Sequence, residues 1–361
     1  MPRNRAGSPT IDGLDPDDPG IGLLSRAIRG VPAREILLVC CGDVPGVGGG
    51  ATRLILDVRE RVGARARVVP VTAPWPEAQR FGHALVWPRA HLGKDFTLDC
   101  LARGALALRP GGTLWCAVRR AKGAESLADE IGAMMGEVDV AERSRGYRLL
   151  CARRGEAFDE ARARARLEVD LVIEDAALPG LSLRSAPGVF SRRALDAGTR
   201  ALLEHAEALT LEPGRVLDLG CGVGPLALWA ARRWPQAQVL AVDSNLRAVA
   251  LAMDNAARHG LGDRVRVVAS DGMPTPPDEG LADWRGAIEL ALVNPPTHAD
   301  PQTSARLARD LRDWLGPEAV ALLVVSRPGR MTQALTETGA RVQGHTGSRY
   351  TVLEARWGAG G

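Results

Sequence analysis

Short apolar runs alternate along this chain with longer segments in which apolar residues recur at helical spacing, the rhythm of a parallel sheet covered by helices. The rhythm runs through twice. In the first half, residues 35–41 (EILLVCC) read as a buried strand entering the glycine-rich stretch 42–50. A helix over 51–62, strands over 67–71 and 83–87, and a helix over 96–108 follow. The turn Pro110-Gly111-Gly112, a strand over 113–118 and a closing strand over 146–152 complete that half. The second half repeats the order: helix 200–208, strand 215–219, a helix from Pro225 to Arg233, strand 238–242, helix 246–259. Strands 264–268, 289–293 and 319–326 come next, with 343–345 and 350–355 closing the sheet. The pattern predicts an α/β protein with similar domains over 21–155 and 187–361, a flexible lead-in over 1–20 and a linker over 156–186.

Composition narrows the class. Apolar residues make up 45% and charged residues 25% of the 361 positions, a globular profile with room for two separate cores. The net charge of +3 does not advertise a nucleic-acid binder. Basic residues are almost all arginine, with lysine only at Lys94 and Lys122, and the ARARAR run over 161–166 reads as a solvated helix face. Cys40, Cys41, Cys100, Cys116, Cys151 and Cys221 form no C-x-x-C pair, and no histidine stands at zinc-ligand spacing from them. No metal site is therefore expected, and the irregular spacing suits reduced thiols in a cytoplasm. Residues 1–20 lack the apolar core of a signal peptide, and no window approaches the roughly 18 apolar residues of a membrane span.

The sharpest local signal is Val216-Leu217-Asp218-Leu219-Gly220-Cys221-Gly222-Val223-Gly224, a strand running into a glycine turn and then a helix with Pro225 in its first turn. Glycines there let a ligand approach the backbone, although dehydrogenases use similar turns. Two acids shift the reading toward S-adenosylmethionine. Asp218, two residues before the first glycine, suits a cationic amino group, and Asp243, ending the next strand beside Ser244, suits the two hydroxyls of a ribose. Asp271, followed by Gly272, is placed to accept from an adenine amine. Cys221 reads as packing, since a nucleophile needs a partnering base and none is visible.

The strand over 289–293 opens on Asn294-Pro295-Pro296-Thr297-His298. Two prolines hold the backbone rigid at the strand's carboxyl end, where ligands sit in open α/β sheets. The Asn294 side-chain oxygen and the Pro295 carbonyl form a pair of acceptors suited to a planar amine, aiming its lone pair at a sulfonium methyl. Catalysis of that kind is positioning and electrostatics, with little need for a general base.

Together, Pro187-Gly188-Val189-Phe190-Ser191, Leu195-Asp196-Ala197-Gly198-Thr199, VLDLGCGVG, NPPTH and the ending Gly347-Ser348-Arg349-Tyr350-Thr351-Val352 resemble the guanine-N2 ribosomal RNA methyltransferases of the RsmC/RlmG type. The resemblance spans nearly the whole chain. It implies two tandem Rossmann-like methyltransferase domains, of which only the second carries S-adenosylmethionine and the catalytic residues, with ribosomal RNA or a ribosomal subunit as partner. It also implies that His298 orients substrate and that Phe190 borders the substrate pocket. The family places an aromatic residue after Asn-Pro-Pro to stack on a flipped base, whereas this chain has Thr297, which weakens guanine capture. The other readings left open are an adenine N6, glutamine amide or small-molecule amine as substrate, and a catalytically inactive cofactor- and RNA-binding factor.

The first half fails the same chemical criteria. Cys40 stands two residues before Gly42 where an acid is required, the strand read as its second ends in Val71-Thr72-Ala73, and Trp87-Pro88-Arg89 replaces Asn-Pro-Pro. It reads as a degenerate copy. The resemblance implies that it helps to hold RNA, with Arg119, Arg120 and Lys122 as phosphate contacts.

Overall fold

Seven strands in each half assemble into a sheet of the same order. The computed structural model describes residues 17–60, 67–70, 80–167, 170–274, 280–295, 300–347 and 349–358. The chain divides into two compact units, 1–169 and 170–361. The boundary falls inside the stretch 156–186 expected as a linker. A short helix from that stretch lies in the first unit and a β-hairpin in the second.

The first unit contains α1 (Pro19–Ala27), β1 (Ile36–Val39), β2 (Thr52–Ile55), β3 (Arg67–Pro70), β4 (Phe81–Val86), α2 (Lys94–Ala107), β5 (Leu108–Arg119), α3 (Ala124–Met135), β6 (Asp139–Ser144), β7 (Tyr147–Arg153) and α4 (Glu160–Ala165). The second contains β8 (Leu171–Glu174), β9 (Ser182–Ser185), α5 (Ala197–Glu207), β10 (Arg215–Leu219), α6 (Pro225–Arg233), β11 (Gln238–Asp243), α7 (Leu246–Arg258), β12 (Val265–Ala269), β13 (Ile288–Val293), α8 (Pro301–Trp314), β14 (Leu315–Val325), α9 (Pro328–Glu337), β15 (Arg341–Thr346) and β16 (Thr351–Arg356). The sheet orders are β3-β2-β1-β4-β5-β7-β6 and β12-β11-β10-β13-β14-β16-β15. In each, five parallel strands are followed by an antiparallel pair. Both sheets also share an irregularity. The register slips between Phe81 and His83 where β4 meets β5, and between Ile288 and Leu290 where β13 meets β14.

Strands covered on both faces need apolar residues at every position rather than at alternate ones. In the second unit Val216, Leu290 and Leu292 pack under α5, α6 and α7, while Leu217, Ala291 and Val293 pack under α8 and α9. In the first unit α2 and α3 cover one face and α1 covers the other.

The helix expected over 51–62 is β2 instead, a buried strand at Thr52–Ile55. Thr52 and Ile55 are β-branched and the segment is short, so a fully buried parallel strand competes successfully with the helical spacing that the same residues happen to show. Among the described residues no α-helix stands between β1 and β3, only a single 3-10 turn at Val58–Glu60 after β2. Among the described residues the first unit therefore shows no α-helical counterpart of α6 or α7.

The β8–β9 hairpin is held to α7 by Asn255, a wholly buried residue. Its Oδ1 accepts from the Arg184 backbone N–H at 2.8 Å, and its Nδ2 donates to the Arg184 carbonyl at 3.0 Å and the Val223 carbonyl at 2.9 Å. One amide thus joins the hairpin to the glycine turn. Replacing Asn255 with leucine keeps the approximate volume and strands three backbone groups. Urea unfolding is expected to show this unit destabilised by about 3 kcal/mol.

Candidate active site

In the second unit the chain passes from β10 to β11 to β12 and then returns to place β13 beside β10, so a crevice opens at the carboxyl ends of β10 and β13. The glycine turn lines one side of it and Asn294 the other. Gly220, Gly222 and Gly224 have φ of +83°, +54° and +94°, a region that side chains rarely enter. A Cβ on Gly222 would meet nothing within 4 Å, and one on Gly220 would meet only the Asn294 carbonyl oxygen at 3.8 Å. Side chains at these two positions would occupy the cleft itself. The cleft encloses about 480 Å³, solvent at its mouth included, and is bordered by Phe190, Asp196, Thr199, Gly220, Gly222 and Asn294 among others.

Asn294 is held in one orientation. Its Nδ2 donates to Asp196 Oδ2 at 3.0 Å and to Thr199 Oγ1 at 2.9 Å. A carboxylate can only accept, so the group facing it is the NH2, and the side-chain oxygen is left for other donors. Asp196 is itself fixed as the N-cap of α5, where Oδ2 accepts from the backbone N–H of Gly198 at 2.9 Å and Thr199 at 3.1 Å. Sequence reasoning quoted Asp196 and Thr199 only as part of a resemblance and gave them no role. The readable signal was an Asp at the cap position ahead of the apolar helical run Ala201, Leu202, Leu203.

The expected cofactor residues divide by what already occupies them. Asp243 ends β11 and accepts from the Gly222 N–H through Oδ2 and the Asn245 N–H through Oδ1, both at 2.8 Å. Ser244 is half-buried beside it. Asp218 is fully buried and does not line the cleft. Its Oδ2 accepts from the Ala227 N–H of α6 at 2.9 Å, while its Oδ1, also shut away from solvent, has no hydrogen-bond partner. Burial pushes its pKa up to about 8, the Ala227 hydrogen bond opposing and the Asp243 charge adding to the rise. Burial, with Asp243 and Asp218 close by, likewise raises the Cys221 thiol well above its ordinary value. A thiol in that state is a poor nucleophile.

Asp271 pairs with Arg306 of α8, which reaches Oδ2 at 2.8 Å and also donates to the Asp271 carbonyl. A Cβ on Gly272 would stand 2.8 Å from Asp310 Oδ2, so close packing against α8 accounts for that glycine without a ligand. Phe190 is 66% exposed at the cleft, presented by Ser191 in the left-handed region at φ 47°. Gly188, just before it, is tied down through its carbonyl by Asn245 Nδ2 at 2.8 Å. Pro296, Thr297 and His298 lie outside the described residues.

The first unit answers the same questions through its register. Val39 pairs with Leu54 and Val86 as Leu219 pairs with Val242 and Val293. Leu38 therefore occupies the place of Asp218, Ile55 that of Asp243 and Cys40 that of Gly220, and Cys40 adopts the matching positive φ of 52°. The assignment of Cys40 to the acid's place and of 67–71 to the second strand is thus corrected by two positions and by one strand. Trp87 stands where Asn294 does. Beyond it Arg89 donates to the Cys40 carbonyl at 3.4 Å and pairs with Glu60 at 2.9 Å, both side chains almost wholly buried. Arg89 thus links the ends of β4 and β1 through the Cys40 carbonyl and pairs with Glu60 beyond β2, where the second unit has its cleft.

Residues 180–354 match the family model described as "Methyltransferase small domain". A Ribosomal RNA small subunit methyltransferase C from Pseudomonas entomophila is 39% identical over 142 residues, 39% of this chain and 38% of that protein. The protein of the same name from a strain of Pseudomonas putida is 30% identical over 292 residues, 79% of this chain and 78% of its own length. The chain belongs to the ribosomal RNA small subunit methyltransferase C family. A solved structure from Thermus thermophilus, described as a 16S rRNA N2 G1207 methyltransferase (RsmC) in complex with AdoMet and guanosine, is 25% identical. It matches with a TM-score of 0.79 over 94% of this chain and 92% of that one. As in other members of this methyltransferase class, the cofactor is S-adenosylmethionine. The open glycine turn and the orphaned Asp218 oxygen beneath it fit that cationic ligand.

The buried Asp218 has a consequence for stability in the cofactor-free state of this family member. Its folded pKa lies above its unfolded one, so its contribution is fully present below the ordinary carboxyl range and is lost as pH rises toward about 8. Asp218→Asn removes the ionisation and keeps the acceptor for Ala227. Thermal melts without cofactor should coincide for variant and wild type near pH 4. Near pH 9 the variant should melt higher by roughly 5 °C or more. Parallel curves at both pH values would contradict the assignment.

Proposed function

We propose that this chain transfers a methyl group from S-adenosylmethionine to the exocyclic N2 amine of a guanine in small-subunit ribosomal RNA, and that the second unit does the chemistry. The observation that carries the proposal is the Asn294 amide, its NH2 engaged by Asp196 and Thr199 and its oxygen left to accept at the edge of the glycine-lined cleft. S-adenosylmethionine supplies an electrophilic methyl group on a sulfonium.

The residues of the chain do the remaining work. Asn294 Oδ1 and the Pro295 carbonyl accept the two hydrogens of the guanine amine, turning its lone pair toward the methyl. Pro296 holds that backbone rigid. The nitrogen loses its extra proton after transfer, so no strong base is required. Asp243 and Ser244 hold the ribose hydroxyls, Asp271 and Gly272 border the adenine, and Gly220, Cys221, Gly222 and Gly224 form the cradle. Asp218 offers its unused oxygen to the charge of the amino end. The Asp271 role requires its carboxylate to serve Arg306 and the adenine amine together, which four acceptor sites allow. Phe190, exposed at the cleft, supplies the apolar face for the base, Thr297 being unable to stack, and His298 orients the base. The first unit holds RNA through its exposed Arg119, Arg120 and Lys122. Arg119 already binds the Tyr147 hydroxyl at 2.6 Å, so Arg120 and Lys122 are the freer contacts. Cytoplasmic placement follows from a ribosomal substrate. No helix among the described residues is long and apolar enough to cross a membrane.

The test is transfer of radiolabelled methyl to naked ribosomal RNA, the small subunit and the large subunit, followed by nucleoside digestion. Label should appear as N2-methylguanosine from the small-subunit RNA. Asn294→Ala should cut kcat by about 100–1,000-fold with cofactor affinity kept, and Thr199→Val by about 10-fold. Calorimetric cofactor binding with no label on any RNA would rule out the proposed substrate.

A further inference from the structure

The far end of α5 carries a second cluster of chemistry that methyl transfer does not use. His205 lies in the last turn of α5, six residues or about 9 Å beyond Thr199. His345 is on β15, the edge strand of the sheet, and Glu354 is on β16 beside it. The register pairs His345 with Val352 and Gln343 with Glu354. His345 and Glu354 are therefore diagonal neighbours on one face of the sheet, the face that α5 covers.

Three observations distinguish this cluster from an ordinary ion pair. Glu354 Oε2 stands 3.6 Å from His205 Nε2 and 3.8 Å from His345 Nε2, too far for hydrogen bonds. Both Nε2 atoms are closed to solvent and have no hydrogen-bond partner on the protein among the described residues. The ring centroids lie 4.4 Å apart, so two imidazoles converge on one carboxylate oxygen. The other carboxylate oxygen is already committed, accepting from Arg356 Nε at 2.8 Å.

We propose that His205 Nε2, His345 Nε2 and Glu354 Oε2 bind one divalent transition-metal ion of the zinc type, with water as a fourth ligand. The three atoms lie within 4.8 Å of one another. Ligands about 2.0–2.1 Å from a tetrahedral zinc stand roughly 3.3 Å apart, so small side-chain rotations suffice to close the set. Two imidazole nitrogens with one carboxylate favour zinc, cobalt or nickel over magnesium or calcium. Arg356 supplies the outer hydrogen bond that fixes the carboxylate. The ion would fasten the last turn of α5 to the edge hairpin of the sheet, while the first turn of the same helix holds Asn294. The site is distinct from the cleft, and its role is structural.

The test uses full-length protein without a histidine tag, stripped with a chelator and titrated with zinc chloride by calorimetry, with cobalt(II) absorption as a spectroscopic reading. Wild type should take up one zinc per chain and show the visible bands of tetrahedral cobalt. At a hundredfold excess over its dissociation constant, zinc should raise the melting temperature by about 5–10 °C. His345→Gln, on the edge strand, and Glu354→Gln should each weaken zinc binding at least 10–100-fold, on the order of ligand-shell losses elsewhere, while keeping cofactor affinity. Equal zinc uptake by wild type and His345→Gln, or no stoichiometric uptake and no cobalt bands in wild type, would overturn the proposal. The cobalt reading needs no variant, so a variant that misfolds leaves it decisive.

Discussion

One carboxylate oxygen governs the catalytic half of this protein. Asp196 Oδ2 accepts from two backbone N–H groups at the start of α5 and from the side chain of Asn294, nearly a hundred residues later in the chain. The first two bonds set where the helix begins, and the third settles which way the Asn294 amide faces. An Asn amide is otherwise free to rotate by half a turn at little cost, presenting donors to the cleft in place of an acceptor. The helix cap removes that freedom. A helix cap and the device that orients the Asn294 amide are therefore one group, and neither can be altered without the other.

The same economy explains how the first unit fell silent without unfolding. The sheet is retained strand for strand, and so is its positive-φ residue after the first strand, now Cys40. What differs is confined to the layer that would face a cofactor. No α-helical counterparts of α6 and α7 stand among the described residues, Leu38 and Ile55 take the places of the two acids, and Arg89, paired with Glu60, reaches across to the Cys40 carbonyl between the strand ends. Leu38 and Ile55 are almost fully buried, which adds apolar area where the second unit keeps a carboxylate out of water at a cost.

The sequence made the sheet legible because parallel strands buried on both faces leave near-continuous apolar runs, and β10, β11 and β13 are such runs. It made the glycine turn and Asn294 legible because few other contexts place those residues just after such strands. It misled at 51–62, where four strand residues also carry helical spacing, and the error shifted the alignment of the silent copy. It could not reveal that Asp196 and Thr199 hold Asn294, since that contact joins a helix start to a strand end through the fold alone. Nor could it bring His205, His345 and Glu354 together, three residues on three elements with no spacing in common. Asp271 was legible as an acid after a strand, but its partner Arg306 lies on a helix that no motif marks.

The register slip shared by the two sheets bears on the history of the gene. It sits between the fourth and fifth strands of each unit and serves no visible chemistry, so selection for methyl transfer gives no reason to acquire it twice. It is most simply an inheritance from a single ancestral domain that already carried it before being copied. The two sheets thus share a fault as well as a strand order.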